Sequence, residues 1–179
     1  MSTSQSLHRR LAIAPTTRGF GFAVIERDGK LADWGAVGII REKNATTVLK
    51  VRELIDLYRP EVLVIEDYAA NPCRRSRRIC DLGEALCELA ASSGISLVTT
   101  DPLAARRRLG GDKVATKQSV AERLAEIFPR ELGHLIPRKR QTWMKEDYRM
   151  AIFEAVALPL AIDSGRFVAT HREQGQALT

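Results

Sequence analysis

The chain has 179 residues, 45% of them hydrophobic, which suits one globular domain with a sizeable core. It contains no apolar run near the roughly 20 residues that cross a bilayer and no signal peptide, so the cytoplasm is the expected location. Three cysteines without a CxxC pair argue against a disulfide framework and a zinc motif, and the net charge of +6 weakly indicates a polyanionic partner.

The first part of the chain predicts an antiparallel meander followed by a helix. Short apolar and alternating stretches predict strands over 11–14, 20–26 and 31–40, with a hairpin turn at Asp28 and Gly29. The next apolar residues recur at helical spacing, and we expect Asn44 to cap that helix and Pro60 to stop it.

The second part predicts buried strands alternating with helices. The run EVLVIEDY over 61–68 suits a central strand that is covered on both faces, and 95–99 resembles it. Helices are predicted over 74–93, 101–108, 115–128 and 146–161. The fold class is therefore α/β, with a mixed five-stranded sheet flanked by helices. The expected division is an N-terminal tail over 1–9, one domain over 10–162 and a polar C-terminal tail over 163–179.

Acidic side chains lie where the predicted strands and helices end. The first and central strands are expected to be neighbours, so the last helix could lay its first turn across their ends. The end of the first strand itself carries Ala14, not an acid. The acids are Glu66 and Asp67 after the central strand, and Glu146, Asp147 and Glu154 on the predicted last helix, with Asp147 and Glu154 on one face.

Carboxylates gathered at one place repel each other unless a cation lies among them. A pair of Mg²⁺ ions about 4 Å apart is the usual solution in phosphodiester hydrolysis, and three or four carboxylates suffice to hold it. Each acid also has a simpler explanation. Glu66 and Asp67 suit surface charges or caps, Glu146 and Asp147 suit the first turn of a helix, and Glu154 suits an exposed face. Only the set together indicates a metal site.

Runs of basic residues adjoin these acids, which favours a phosphodiester substrate over a merely solvated surface. Three aromatic residues near the acids, Tyr68, Trp143 and Tyr148, could stack on an unpaired base, with core packing as the equal alternative. The basic residues are Arg74, Arg75, Arg77 and Arg78 after the central strand, Arg106, Arg107, Arg108, Lys113 and Lys117 after the last strand, and Arg138, Lys139 and Arg140 before Glu146.

Three blocks, LAIAPTTRGFGFAVIE, EVLVIEDY and KEDYRMAIFEAVALPLA, resemble the motifs of RuvC-like Holliday junction resolvases of the ribonuclease H-like superfamily. The resemblance spans roughly 11–161. It implies a ribonuclease H-like fold, a two-metal site for Mg²⁺ that Mn²⁺ can also fill, and a homodimer acting on branched DNA. The helix beginning near Arg74 corresponds to the one that the family uses for dimerisation and for entering the junction.

The resemblance also implies residue roles. Glu66 would be a catalytic metal ligand, and Lys117 would support phosphate chemistry. The family carries two acids three residues apart early in the last helix. Here Glu146 or Asp147 matches the first, Arg149 or Met150 falls at the second, and Glu154 is the candidate substitute.

The family's first catalytic Asp falls on Ala14, while Pro15 through Gly21 keep the motif. Two explanations stay open: an inactivated form of an active enzyme, which the intact neighbours favour, and a natural protein without activity.

The leading hypothesis is therefore a Mg²⁺-dependent, structure-selective DNA endonuclease for four-way junctions, inactive here because of Ala14. The catalytic set would be position 14, Glu66, Asp147 and Lys117. The alternative is an inert module that binds branched DNA. An actin-like ATPase would need a second subdomain and a second glycine-rich phosphate loop, and a Ser-His-Asp hydrolase would need a GxSxG turn that the chain lacks.

Overall fold

The structure is a computed structural model that describes residues 8–68, 76–110 and 115–162. Its elements follow in chain order: β1 (Arg10–Pro15), β2 (Gly19–Ile25), β3 (Leu31–Gly38), α1 (Lys43–Tyr58), β4 (Val62–Glu66), α2 (Arg77–Ser92), β5 (Ser96–Thr100), α3 (Pro102–Gly110), α4 (Lys117–Ile127), α5 (Pro129–Leu132), a 3-10 turn (Gly133–Leu135) and α6 (Met150–Leu160).

The strands form one sheet in the order β3-β2-β1-β4-β5. β1 pairs antiparallel with β2 and parallel with β4, so that Ile13 lies opposite both Phe22 and Ile65. β3 extends the antiparallel side and β5 the parallel side. The predicted mixed five-stranded sheet with flanking helices is confirmed.

Strand alternation divides the core into two layers. Leu11 and Ile13 of β1 pack on one face of the sheet with the apolar sides of α1 and α2. Ala12 and Ala14 belong to the other layer, with α4 and α6. Helix α6 is buried over almost its whole length, which explains why its sequence is apolar everywhere except at Glu154.

Helix α6 lies unusually close to the sheet at Gly21 of β2. A Cβ on Gly21 would overlap the backbone carbonyl of Ala151, so only glycine allows this approach. The glycine-bearing second strand of the sequence motif therefore has a packing function: it brings α6 down onto the strands beside Ala14.

Two local predictions are wrong. The last helix begins at Met150, not at 146, because the Asp147 carboxylate accepts the backbone N–H of Arg149 at 2.9 Å and the Asp147 carbonyl accepts that of Met150. This turn keeps Glu146 and Asp147 outside the helix, so Asp147 and Glu154 do not share a helical face. Asn44 does not cap α1; it lies inside the helix and donates to the carbonyl of Arg78.

Both predicted tails fall mainly outside the described residues, namely 1–7 and 163–179. Across the three described segments, no helix combines the length and apolarity that crossing a membrane requires.

Candidate active site

A cavity of about 250 Å³ opens at the carboxyl ends of β1, β4 and β5, beneath α6. Ala14, Glu66 and Glu154 line it, together with Asp67, Asp101 and Lys117. The strands place these groups together for a simple reason. Parallel neighbours end at the same edge of a sheet, and residues 12, 14, 64 and 66 have the parity that faces α6. The sequence prediction that the strand-end acids lie near the last helix agrees with this arrangement.

Position 14 presents a methyl group to this cavity. Ala14 is only 6% exposed and belongs to the α6-side core. Glu66, on the neighbouring strand β4, is half-buried and lines the same cavity. An acid at position 14 would therefore stand in the same recess as the Glu66 carboxylate, which is the placement that the motif resemblance implies.

Lys117 lines the cavity and contacts two acidic side chains. Thr116 caps α4 by accepting the backbone N–H of Ser119, which fixes Lys117 as the first helical residue. Its Nζ lies 2.7 Å from Glu146 Oε1 and 2.7 Å from Glu154 Oε1. Burial lowers the pKa of Lys117, but the two carboxylates outweigh it and hold the pKa above its ordinary value. The lysine is therefore charged at neutral pH.

Glu154 has a second cationic neighbour. The Arg106 guanidinium of α3 comes within 3.8 Å of Glu154 Oε1, and both side chains are about one quarter exposed. Lys117 and Arg106 thus balance the negative charges of Glu146 and Glu154.

Asp147 is separate from this cluster. It lines an adjacent groove of about 430 Å³, to which Glu146 and Glu154 also contribute, between the β1–β2 turn and the segment before α6. The Arg149 side chain donates to both carboxylate oxygens of Asp147, at 3.0 and 2.6 Å. Hydrogen bonding from this side chain holds the pKa of Asp147 below its ordinary value, against a smaller effect of burial.

The acids do not fit a two-metal centre in this arrangement. Among residues 8–68, 76–110 and 115–162, no group of three or more His, Cys, Asp or Glu side chains is placed to hold a metal ion. The reasons are local. Position 14 is apolar, Lys117 forms ion pairs with Glu146 and Glu154, and Arg149 forms an ion pair with Asp147. The predicted ligand set of Glu66, Glu146, Asp147 and Glu154 is therefore not brought together as one cluster.

The predicted basic residues fall into two groups. Arg77, Arg107, Arg108, Arg138, Lys139 and Arg140 are exposed, and their side chains are accessible to a ligand. Arg78 is half-buried and donates to the Thr16 carbonyl and to Asn44 Oδ1. It therefore supports the β1–β2 turn instead of presenting an open cation. Arg74, Arg75 and Lys113 lie outside the described residues.

The aromatic residues also differ. Tyr68 is only 8% exposed and packs its ring against α2, where any Cβ on Gly83 would collide with it. Of the two possibilities for Tyr68, its burial and its contact with α2 favour core packing over base stacking. Trp143 and Tyr148 are 79% and 67% exposed, on the segment that leads into α6.

Two features of the site are not predicted from the sequence. Asp101 lines the cavity at the end of β5, and its carboxylate accepts the backbone N–H of Leu103 at 2.9 Å. The strand-end rule used for Glu66 could have found it, since β5 ends at the same edge. The Arg149 pairing was not foreseen, because a contact between residues two apart depends on the turn before α6.

Known structures share this architecture. The RuvC structure of Thermus thermophilus superposes with a TM-score of 0.63 and 18% identity, covering 86% of this chain and 91% of that one. T. thermophilus RuvC in complex with a Holliday junction substrate gives a TM-score of 0.59 and 19% identity, with the same coverage. A yeast mitochondrial Holliday junction resolvase gives 0.60 and 13%, covering 88% of this chain and 78% of that one.

No family model matches the sequence, and no curated protein matches it. The fold is nevertheless that of the RuvC-like resolvases, in agreement with the sequence resemblance.

Proposed function

We propose that this chain is a four-way-junction DNA-binding protein built on a junction-resolving nuclease fold, and that its cleavage chemistry requires an acid at position 14. The observation that carries the proposal is the shared recess of Ala14 and Glu66 at the ends of β1 and β4, within a fold similar to that of Holliday junction resolvases. Exposed basic residues beside this recess suit a phosphate backbone.

We assign the DNA contacts chiefly to the segment before α6. Arg138, Lys139 and Arg140 are exposed there, and the exposed rings of Trp143 and Tyr148 follow. Basic groups with interleaved aromatics suit the unpaired or strained nucleotides at a branch point. Exposed Arg77 on α2 and Arg107 and Arg108 on α3 would add backbone contacts.

We also propose a homodimer, since a four-way junction presents two equivalent strands that paired cuts must reach. Light scattering of the free protein and of its junction complex tests this. A complex that contains a single copy would contradict it.

Cleavage is expected only after an acid is restored. Ala14→Asp would place a second carboxylate beside Glu66, and carboxylate oxygens are the ligands that Mg²⁺ prefers. The parent and the variant are incubated with a labelled four-way junction in Mg²⁺, in Mn²⁺ or in a chelator. We expect paired symmetric cuts by Ala14→Asp with a divalent cation, at least about 100-fold faster than the parent, and none in the chelator.

Ala14→Asn is the matched control, because it has nearly the same shape without the charge and should remain inactive. Adding Glu66→Gln to Ala14→Asp should abolish the cuts. Cleavage by the parent at the same rate as Ala14→Asp would contradict the proposal.

The second candidate function is binding without chemistry, which the pairing of Glu146 and Glu154 by Lys117 favours. It predicts that neither the parent nor Ala14→Asp cuts, while both bind branched DNA tightly with or without metal. The same experiment therefore separates the two functions.

A further inference from the structure

The ammonium group of Lys117 joins three parts of the molecule. Lys117 is the first residue of α4, Glu154 lies on α6, and Glu146 lies on the segment that precedes α6. Both of its carboxylate contacts measure 2.7 Å, the length of a charge-assisted hydrogen bond. One cation therefore ties the loop carrying Glu146 to two helices.

The position of this lysine is otherwise unfavourable. A positive charge in the first turn of a helix opposes the helix dipole, and the side chain is only about one third exposed. The two carboxylates offset both costs. Arg106, 3.8 Å from Glu154, adds the second positive charge, so the cluster of two acids and two bases has no net charge.

We infer that the Lys117 ammonium is the resident cation of this pocket: it neutralises Glu146 and Glu154 in place of a divalent ion, and it fastens the loop before α6. An ammonium in contact with both carboxylates stands where an ion bridging them would have to bind, and it repels a second cation. In this chain, the metal-free cluster is therefore the stable state of the pocket.

The inference rests on the proposed function only in that it concerns the same pocket. The test of the inference uses no DNA. The inference can therefore be refuted while junction binding is confirmed, and junction binding can be refuted while the inference is confirmed.

The experiment measures thermal unfolding and Mn²⁺ binding of the full chain. The parent should unfold at the same temperature in about 1 mM Mn²⁺ and in a chelator. Lys117→Met keeps most of the aliphatic side chain but removes the charge. In the chelator it should unfold at a lower temperature than the parent. Mn²⁺ at about 100 times its Kd should then raise its Tm by about 5–10 °C, since the exposed carboxylate pair can take the ion.

Three further variants make the result specific. Lys117→Arg retains the charge and should behave like the parent. Lys145→Met removes a lysine from the same loop, with the same change in net charge, and should show no response to Mn²⁺. Lys117→Gln keeps a polar end group and should respond to Mn²⁺ as Lys117→Met does, which keeps the test informative if Lys117→Met does not fold.

Two results would overturn the inference. In the first, calorimetry detects Mn²⁺ binding to the parent, and Mn²⁺ raises the Tm of the parent as much as it raises the Tm of Lys117→Met and Lys117→Gln. The other is folded Lys117→Met or Lys117→Gln protein whose Tm is the same in Mn²⁺ and in the chelator.

Discussion

At the scale of single residues, the acids of this chain differ in what surrounds them. Glu66 shares a recess with an apolar residue, Glu146 and Glu154 share a lysine, and Asp147 is held by an arginine. The same side-chain chemistry therefore meets three different sets of neighbours, although Glu66 and Glu154 line one cavity. The sequence predicts these acids as one set of metal ligands, but only their cationic neighbours decide which carboxylates can act together.

The ion pair between Arg149 and Asp147 allows a prediction about the pKa of Asp147. Replacing Arg149 with Met removes the side-chain hydrogen bonds that hold the pKa of Asp147 low, so that pKa should rise towards the ordinary value of about 3.9. A carboxylate with a lowered folded-state pKa stabilises the protein above its unfolded-state pKa, and this stabilisation is lost as the pH falls through the folded-state pKa.

The free energy of unfolding of the parent should thus exceed that of Arg149→Met by about 0.2–1 kcal/mol near neutral pH, because the pair is partly exposed. The difference should shrink below about pH 4. Carboxyl NMR titration and urea unfolding at several pH values measure both effects. Lys145→Met is the control, and an unchanged Asp147 pKa in Arg149→Met would refute the assignment.

At the scale of elements, the site depends on how closely α6 lies on the sheet. The contact between Gly21 of β2 and Ala151 of α6 sets this distance, and Glu154 lies one turn further along the same helix. A change at Gly21 therefore acts on the cavity through the position of the helix.

We expect Gly21→Ala to lower the free energy of unfolding by about 1–3 kcal/mol, because the added methyl meets backbone that cannot rotate away. Gly38→Ala is the matched control, since a Cβ there has open space among the described residues. Urea unfolding of both variants measures the difference. Equal stabilities of the two variants would show that α6 moves away without cost.

At the scale of the whole molecule, the net charge of +6 matters through its distribution. Basic side chains lie exposed on the segment before α6, close to the groove between that segment and the β1–β2 turn. Binding of a polyanion at such a surface releases counterions and depends steeply on salt.

The double variant Arg138→Ala/Lys139→Ala should weaken junction binding. It should also reduce the slope of log affinity against log salt by about 1.8, if each side chain neutralises one phosphate. Lys50→Ala/Arg52→Ala removes two positive charges from α1, on the other face of the sheet, and should leave the slope unchanged. Fluorescence anisotropy with a labelled junction at several salt concentrations measures both. Equal slopes for the two variants would place the DNA elsewhere.

The sequence by itself determined the sheet and the residues at the ends of its strands. Alternating and continuous apolar runs indicate strands because burial has the period of the backbone, and strand-end residues such as Ala14 and Glu66 follow from strand order. Only the tertiary structure decided which charges meet. Lys117 and Glu146 are 29 positions apart, and Tyr68 is buried because α2 has a glycine opposite it. Such contacts depend on packing between elements, which local sequence patterns do not encode.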